Sequence, residues 1–316
     1  MNLNRFQIQV ATGRFTLPVV ILICLLLWGI TFQEWKDCIY LAITAIIGYM
    51  MIEINTAFTL IRTRTTMPVC IFWMIATSLF FLHPFEWENL VPLAFLLSVY
   101  QLFQSYESNS PAIPIYHAFF FISLGSLVFP PFIYFSPILW GSMIPFRSLS
   151  GKSLLASLLG LITPYWFLFG YAFYFDQMSL FLNPLREMVH FHPIEYGHLT
   201  IPEIISWGII TLLLIISGSH YWQISYMDKT RTRIYHSFLV IVGLCVTLWS
   251  ILQPIYLHAL IVIQLICAAF LGGHLFTLTR NRFSGIFFIV TFVTVTLLTI
   301  YNLWMQFFNF WLIGDI

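Results

Sequence analysis

Acidic residues in this sequence occur in two close pairs, Glu34 with Asp37 and Glu86 with Glu88. Two carboxyl groups held near one another can act as a general acid and a general base. Glu34 and Asp37 are therefore candidate catalytic residues. The same residues can equally be solvated groups at helix ends, and the sequence leaves both interpretations open.

Glu53 is the one acidic residue that falls deep inside a predicted apolar segment. An ionised carboxylate in hydrocarbon is costly unless it is paired or hydrated, so such a residue is a functional candidate by default. We name Glu53 as a third candidate catalytic residue and expect it to have a buried polar partner. The alternative is a purely structural hydrogen bond within the bundle, to Asn55 on a neighbouring turn or to His274 on another helix.

A cluster of imidazole and carboxylate groups comprises His190, His192, Glu195 and His198. Both groups bind zinc and other divalent cations. The spacing matches no metal-binding helix signature, and Pro193 interrupts a helix at this point. We predict no bound metal and no cofactor, and these four side chains would be the ligands if a metal were present. The alternative is a polar loop at a membrane surface.

The segment 176–200 predicts a helix with one apolar and one polar face, which suits a position flat on a membrane. Arg186 and His190 lie on its polar face. A guanidinium group can bond a phosphate through two parallel hydrogen bonds. We therefore predict that Arg186, beside His190, binds an anionic lipid headgroup or a lipid-linked phosphate. A salt bridge to Glu187 or Asp176, or an unspecific headgroup anchor, is the alternative.

The composition identifies the elements that must position these residues. The chain is 60% hydrophobic and only 8% charged, against about 25% charged residues in a soluble domain. A soluble exterior must be wet, whereas a membrane bundle has lipid as its outer solvent. The net charge is +1 and no basic tract is present, so nucleic acid is not a predicted partner. The sequence predicts an all-α, polytopic transmembrane bundle.

Hydrophobic segments divide the chain into about eleven predicted spans that form one integral membrane domain, residues 1–316. Spans three to six are short, so 67–103 and 113–146 are each either a full hairpin or a re-entrant one. The predicted spans are Phe15–Phe32, Ile39–Ile61, Met67–Leu82, Leu90–Phe103, Ile113–Val128, Pro131–Phe146, Leu154–Phe175, Ile201–Trp222, Ile234–Leu252, Pro254–Leu278 and Phe283–Leu312.

Basic residues are distributed unevenly between the loops that join these spans. Eleven of the 13 Lys and Arg residues fall on one predicted side, and only Lys36 and Arg186 fall on the other. Short loops rich in Lys and Arg remain in the cytoplasm. The sequence therefore predicts a cytoplasmic N-terminus, an outer C-terminus, and an outer loop at 176–200 in the inner membrane of a bacterial cell.

The stretch Tyr116–Phe175 combines a glycine-containing helix, a proline-broken hairpin, a basic loop and a helix with the pattern Gly160-Leu161-x-x-Pro164-Tyr165. These features resemble a family of uncharacterised polytopic inner-membrane proteins of Bacteroidota. The short-helix pattern is also loosely similar to the C-type membrane glycosyltransferases, which use lipid-linked sugars on the outer side. Their catalytic acid lies in the first outer loop, here the short segment 33–38, and that resemblance implies Glu34 or Asp37.

Three classes of function follow from these observations. The first is a cell-envelope protein that handles a lipid-linked or glycan substrate on the outer face, with membrane lipids as partners. The second is a small-solute transporter, and the third is a non-catalytic membrane scaffold. An outward groove at lipid depth favours the first class, a midplane cavity favours the second, and the sequence leaves open whether the chain is an enzyme.

Overall fold

The computed structural model describes residues 3–32, 34–279 and 281–313. Within these ranges the chain forms thirteen α-helices and no strand, which confirms the predicted all-α class. The helices are α1 (Leu3–Thr12), α2 (Thr16–Thr31), α3 (Asp37–Phe58), α4 (Met67–Ser78), α5 (Val91–Gln104), α6 (Ala112–Val128), α7 (Ser136–Ser142), α8 (Gly151–Tyr174), α9 (Met178–Val189), α10 (Ile201–Ile224), α11 (Thr230–Leu252), α12 (Leu257–Leu278) and α13 (Arg282–Ile313).

Six helices in the described part of the chain are long and apolar enough to cross a membrane, namely α3, α8, α10, α11, α12 and α13. A seventh crossing is added if α1 and α2, which meet at an 80° bend, are counted as one broken span. The helices α4 and α6 are apolar but shorter. The sixth predicted span, Pro131–Phe146, is divided between a 3₁₀ helix over Pro130–Phe135 and the seven-residue α7.

The chain divides into two compact units, one formed by Met1–Phe85 with Ile194–Ile316 and the other by Glu86–Pro193. We call them unit 1 and unit 2. The core of unit 1 is α12, which is buried along nearly its whole length among α1, α4, α10 and α11. Gly273 permits the close approach of α4, because a Cβ there would lie 2.5 Å from Cγ of Pro68.

Several polar groups on α12 bond to neighbouring parts of the chain rather than facing lipid. Near its middle, the Gln264 amide donates to the hydroxyls of Thr211 on α10 at 2.9 Å and Thr247 on α11 at 2.8 Å. Such interhelical hydrogen bonds stabilise a bundle where no water competes for the donor. The helix is therefore fixed laterally by polar contacts as well as by apolar packing.

Unit 2 depends on close packing between α6 and α8. Gly160 was predicted as a close-packing position, and a Cβ there would lie 2.5 Å from the carbonyl oxygen of Tyr116. Gly125 was predicted similarly and lies against the ring of Phe132. The prediction is wrong for Gly170, because a side chain there would meet open space. Ser126 and Tyr165 hydroxyls, 2.8 Å apart, also join the two helices.

Helix starts were predicted from local signals with partial success. The pattern Thr66 followed by Pro68 predicts the start of α4, and the helix begins at Met67 as expected. The predicted cap from the Thr66 side chain is wrong, because the Thr65 hydroxyl accepts the Met67 N–H instead. At α10, Thr200 and Glu203 form a reciprocal capping box, which holds Glu203 at the helix start.

Candidate functional site

The predicted catalytic acids Glu34 and Asp37 differ in their surroundings. Glu34 is exposed, whereas Asp37 is buried and begins α3. The carboxylate of Asp37 accepts the backbone N–H of Glu34 at 3.0 Å, so part of its role is to organise the turn before the helix. Of these two carboxyl groups, only that of Asp37 lies in a protein environment that could alter its chemistry.

Asp37 lies in the same packed region as His83, whose ring is stacked on Trp28 with centroids 3.8 Å apart. Nδ1 of His83 is 2.9 Å from the hydroxyl of Thr31. Burial lowers the pKa of His83 to about 4, although the backbone at Thr77 and the charge of Asp37 act in the opposite direction. The adjoining cavity beside Trp28 has a volume of about 10 Å³, room for about one water molecule.

Glu53 lies on α3 and is half-buried. Both predicted partners are engaged elsewhere, since Asn55 donates to the Thr65 carbonyl at 3.2 Å and His274 pairs with Asp228. The part of the chain that the structure describes gives Glu53 no hydrogen bond or ion pair. The expectation of a buried polar partner from Asn55 or His274 is therefore wrong.

Arg186 and His190 belong to α9 and its C-terminal end in unit 2, and both are exposed. The helix buries none of its residues, and the Tyr134 hydroxyl donates to its Met188 carbonyl. No described acidic side chain forms an ion pair with Arg186, so the alternative of a salt bridge to Glu187 or Asp176 is not realised there. The guanidinium is free to meet an anion.

The four side chains considered as metal ligands fall into pairs. The rings of His190 and His192 lie 4.7 Å apart in unit 2. In unit 1, His198 and Glu195 lie 3.4 Å apart, and both are well exposed. Among the described residues, no three His, Cys, Asp or Glu side chains are arranged to hold a metal ion.

A second, unpredicted group of polar residues lies where α10, α11 and α12 come together in unit 1. Nε2 of His274 is 2.8 Å from the carboxylate of Asp228, and these side chains are only 3% and 6% exposed. The His274 ring lies 4.9 Å from that of His236 and 5.0 Å from that of Tyr221. The rings of Tyr221 and His236 are stacked, 4.8 Å apart.

The residues of this group lie near the ends of the helices that position them. His274 lies four residues before the end of α12 at Leu278, about 6 Å at 1.5 Å per residue. Asp228 follows the short 3₁₀ turn after α10, so its carboxylate points back at α12. Nδ1 of His236 donates to the Thr232 carbonyl one turn earlier at 3.1 Å, because a carbonyl oxygen can only accept.

A partly open cavity of about 600 Å³ adjoins His274 and Asp228. Its size is typical of small-molecule sites, which range from about 300 to 1,000 Å³. Arg62 contributes a guanidinium to the lining. The remaining polar lining residues are Ser219, His220, Gln223, Thr279 and Asn281. Among the described lining residues, the cavity therefore presents donors and the permanent positive charge of Arg62 around a buried acid–histidine pair.

The charge state of Asp228 determines the chemistry of its partner. Burial alone raises the pKa of this carboxyl, but the His274 hydrogen bond and the charges of His274, His236 and Arg62 outweigh it and hold the pKa below its ordinary value. The ionised carboxylate can only accept, so Nε2 of His274 carries the hydrogen. When that ring is neutral, its Nδ1 is a basic nitrogen, and no described group bonds to it.

His236 also has one ring nitrogen that donates and one without a described partner. Its Nδ1 donates to a carbonyl, and its Nε2 is left as the basic nitrogen. The hydroxyl of Tyr221, in ring contact with both histidines, also lacks a described partner. The basic Nδ1 of His274 can accept a proton, and the buried His236 ring and the Tyr221 phenol ring pack against it. Asp228 would stabilise the protonated form.

The sequence contains a signal for this group, namely the positions of three histidines along the predicted spans. His220 and His274 lie near the ends of predicted spans eight and ten, and His236 lies near the start of span nine. These ends all lie on one predicted side of the membrane, so the three histidines share a depth. Each of these histidines considered alone predicts only an isolated polar residue within a helical bundle.

A second acid–histidine pair lies at the opposite end of α12. Nε2 of His258 is 3.0 Å from the Glu203 carboxylate, whose other oxygen accepts the Thr200 N–H of the capping box. The Phe81 ring covers His258 at 5.5 Å. No cavity is described beside this pair within the part of the chain that the structure covers.

The architecture and its apolar helices indicate a multi-pass membrane protein. Comparison with known proteins gave no match, whether to protein-family models, curated proteins or solved structures. The fold and the site chemistry are thus the basis for any functional conclusion.

Proposed function

We propose that this multi-pass membrane protein binds a small anionic ligand in the cavity beside Asp228 and His274, and that binding is coupled to a proton held by His274. The observation that carries the proposal is the 600 Å³ cavity lined jointly by Arg62 and His274. Arg62 supplies a guanidinium for a carboxylate or phosphate. His274 supplies a proton acceptor next to it.

The proposal includes the topology predicted from the basic loops, with about eleven crossings or re-entrant segments in a bacterial inner membrane. Contacts in unit 1 support it, because they join segments predicted on the same side. Predicted inner segments are joined by Gln7 to Phe276, Thr65 to Ala11 and Thr232 to Thr59. Predicted outer segments are joined by Thr31 to His83, Tyr196 to Ile251 and Asn302 to Ser78.

This topology makes the cavity cytoplasmic, since Arg62 and the loops beside Asp228 carry inner basic residues. A fused reporter that is active only in the cytoplasm tests it. Fusion after Lys152 is expected to give activity, and fusion after Asp176 is expected to give none. Activity at Asp176 without activity at Lys152 would reverse the orientation and place the cavity outside.

Anion binding is tested by thermal unfolding of the purified protein in detergent with inorganic phosphate, citrate or chloride at equal ionic strength. A ligand that binds only the folded state at about 100 times its Kd stabilises it by about 2.7 kcal/mol. Phosphate or citrate is expected to raise the unfolding midpoint of the wild type, and Arg62→Gln is expected to abolish the rise.

The matched control is Arg64→Gln, two residues away, exposed and not part of the cavity lining. It removes the same charge and should leave the anion response intact. An equal loss in both variants would show a diffuse charge effect, and no response of the wild type to either anion would refute the proposed ligand class.

The position of the cavity argues against two of the classes raised by the sequence. It is neither an outward groove nor a midplane cavity, because its histidines lie about one helical turn from the ends of α10 and α12. A cytoplasmic binding site accounts for this depth directly. The candidate catalytic acids Glu34, Asp37 and Glu53 have no part in it.

A second proposal keeps the outer face as the site of a lipid-linked or glycan substrate, as the resemblance to C-type glycosyltransferases implies. The observation that favours it is the exposed Arg186 on α9, which has no ion pair among the described residues. Arg186→Ala is expected to lose copurified anionic lipid, measured by mass spectrometry, and Arg186→Lys is expected to lose less. Wild-type lipid content in Arg186→Ala would end this proposal.

A further inference from the structure

An apolar groove separate from the polar cavity lies in unit 1 between the bent pair α1–α2 and the helices α4, α12 and α13. Its volume is about 480 Å³, within the range of ligand sites. The walls are built from aliphatic, methionine and aromatic side chains, among them Val19, Ile71, Met74, Phe276 and Phe292. None of the described residues that line it is acidic.

The groove has a direction that follows from the order of its residues along each helix. Its lining runs from Thr16 to Ile23 on α2, from Met67 to Ile75 on α4 and from Phe288 to Val295 on α13. Each path advances by seven or eight residue steps, about 11 Å along a helix. The groove therefore extends from the α1–α2 bend toward the interior of the predicted membrane.

Apart from Thr291, the strongly polar lining groups are at the bend. Gln9 and Arg14 are contributed by α1 and by the turn that follows it, and Thr16 begins α2. The Thr16 hydroxyl is already used by the Val10 carbonyl at 2.7 Å. Arg14 is exposed, and no described acid forms an ion pair with it. One end of the groove thus carries a positive charge and the rest is apolar.

We infer that this groove binds one acyl chain of an anionic phospholipid, with the lipid phosphate at Arg14 and the chain between α2, α4 and α13. The charge at one end and the length of apolar wall match an amphiphile whose negative group sits at the membrane surface. The 80° bend of α1 against α2 places Phe6 and Val10 along the lipid as well. A zwitterionic lipid also offers a phosphate to Arg14, but its headgroup cation offsets that charge, so an anionic lipid is the better match for this guanidinium.

Photo-crosslinking in proteoliposomes tests the inference. The probes are phosphatidylglycerol and phosphatidylcholine with the same diazirine-bearing acyl chain, each added at a low fraction of the total lipid. Phosphatidylglycerol is expected to label peptides containing Met67–Ile75 and Phe288–Val295 in preference to other helices, and more than phosphatidylcholine does. Equal labelling by both lipids, or labelling spread evenly over the apolar helices, would overturn the inference.

Two variants make the assignment specific. Arg14→Gln removes one charge-assisted hydrogen bond, so groove labelling by phosphatidylglycerol should fall about tenfold toward that of phosphatidylcholine. Val19→Trp fills the groove and should reduce labelling by both lipids. The matched controls are Lys152→Gln and Leu155→Trp on α8, which lie outside the groove and should label like the wild type.

A partner helix is the competing occupant. A photo-reactive residue in place of Val19 is expected to crosslink to lipid only. A protein–protein crosslink from that position would show that a second chain fills the groove and would overturn the lipid assignment. The comparison of the two lipids on the wild-type protein needs no variant, so the inference stays testable if a substitution impairs folding.

Discussion

The two ends of α12 carry the same chemical pair in different surroundings. His258 pairs with Glu203 at one end, and His274 pairs with Asp228 at the other, 16 residues or about 24 Å along the helix. The His258 side chain is 38% exposed, whereas that of His274 is 3% exposed. The first pair belongs to the start of α10, because Glu203 also completes a capping box.

The difference teaches that an acid–histidine pair becomes a candidate site through what lies beside it. At the His274 end, a cavity, the guanidinium of Arg62 and two further rings surround the pair. At the His258 end, the neighbours are the Phe81 ring and backbone groups. Among the described residues, the pair at the His274 end therefore has the surroundings of a candidate ligand site, whereas the pair at the His258 end is tied to the start of α10.

The largest effect that would test this contrast is on stability. Asp228→Ala leaves a deeply buried imidazole without its acceptor and should lower the free energy of unfolding by about 3 kcal/mol. Glu203→Ala removes a cap and a partly solvated pair and should cost about 1–2 kcal/mol. Denaturant or thermal unfolding in detergent at pH 7 measures both.

The carboxyl of Asp228 has a lowered pKa, so its contribution is present above the ordinary value near 3.9 and is lost only as pH falls through the lower folded value. The Asp228 carboxyl stays ionised between pH 5 and 8, so its own titration should add no pH dependence to the cost of Asp228→Ala in that range. Equal costs for the two alanine variants would remove the contrast between the ends of α12.

The packed region around His83 should also lose stability in acid, but at a higher pH than Asp228 does. The ring stays neutral until about pH 4 in the folded protein, whereas the unfolded chain binds its proton near 6.5. Stability should therefore fall as pH falls from 6.5 toward 4, by up to about 3 kcal/mol. His83→Gln should flatten this part of the pH profile of the unfolding midpoint. An unchanged slope in that variant would mean that another group titrates there.

A smaller effect is expected where α12 crosses α4. A methyl group at Gly273 would collide with the Pro68 ring, so Gly273→Ala should cost about 1–3 kcal/mol through overpacking. Gly272 is the matched control, because a Cβ there meets neighbours only at 3.5 Å and 3.7 Å. Gly272→Ala should unfold like the wild type, and similar losses in both variants would contradict the crossing geometry.

Much of the fold was predictable because hydrophobic runs and helix breakers act locally. Every predicted span overlaps a described helix, but Pro131–Phe146 contains only the seven-residue α7 after a 3₁₀ helix that begins at Pro130 and Pro131. The helix α1 was missed because it is short and polar on one side. The bend at Gly13 comes from packing of α1 on α12, which a local pattern does not contain.

The candidate site was harder to predict, since Asp228, His236 and His274 are brought together by tertiary packing. Asp228 is a loop acid by sequence and becomes a buried partner only when α12 lies against it. Glu53 shows the converse, because a hydrophobic context predicted burial and the structure leaves it half-buried. The sequence encodes depth along the membrane, whereas the choice of neighbour depends on which helix faces pack.

The buried position of α12 also has a consequence for biosynthesis. The side chains that bond its polar residues are Glu203, Thr211, Asp228 and Thr247, and all four precede α12 in the chain. A ribosome therefore delivers these partners to the membrane before His258, Gln264 and His274 emerge. The most enclosed helix of unit 1 can therefore form these hydrogen bonds as it enters the membrane. Its polar side chains do not lie in lipid without a partner while a later helix is synthesised.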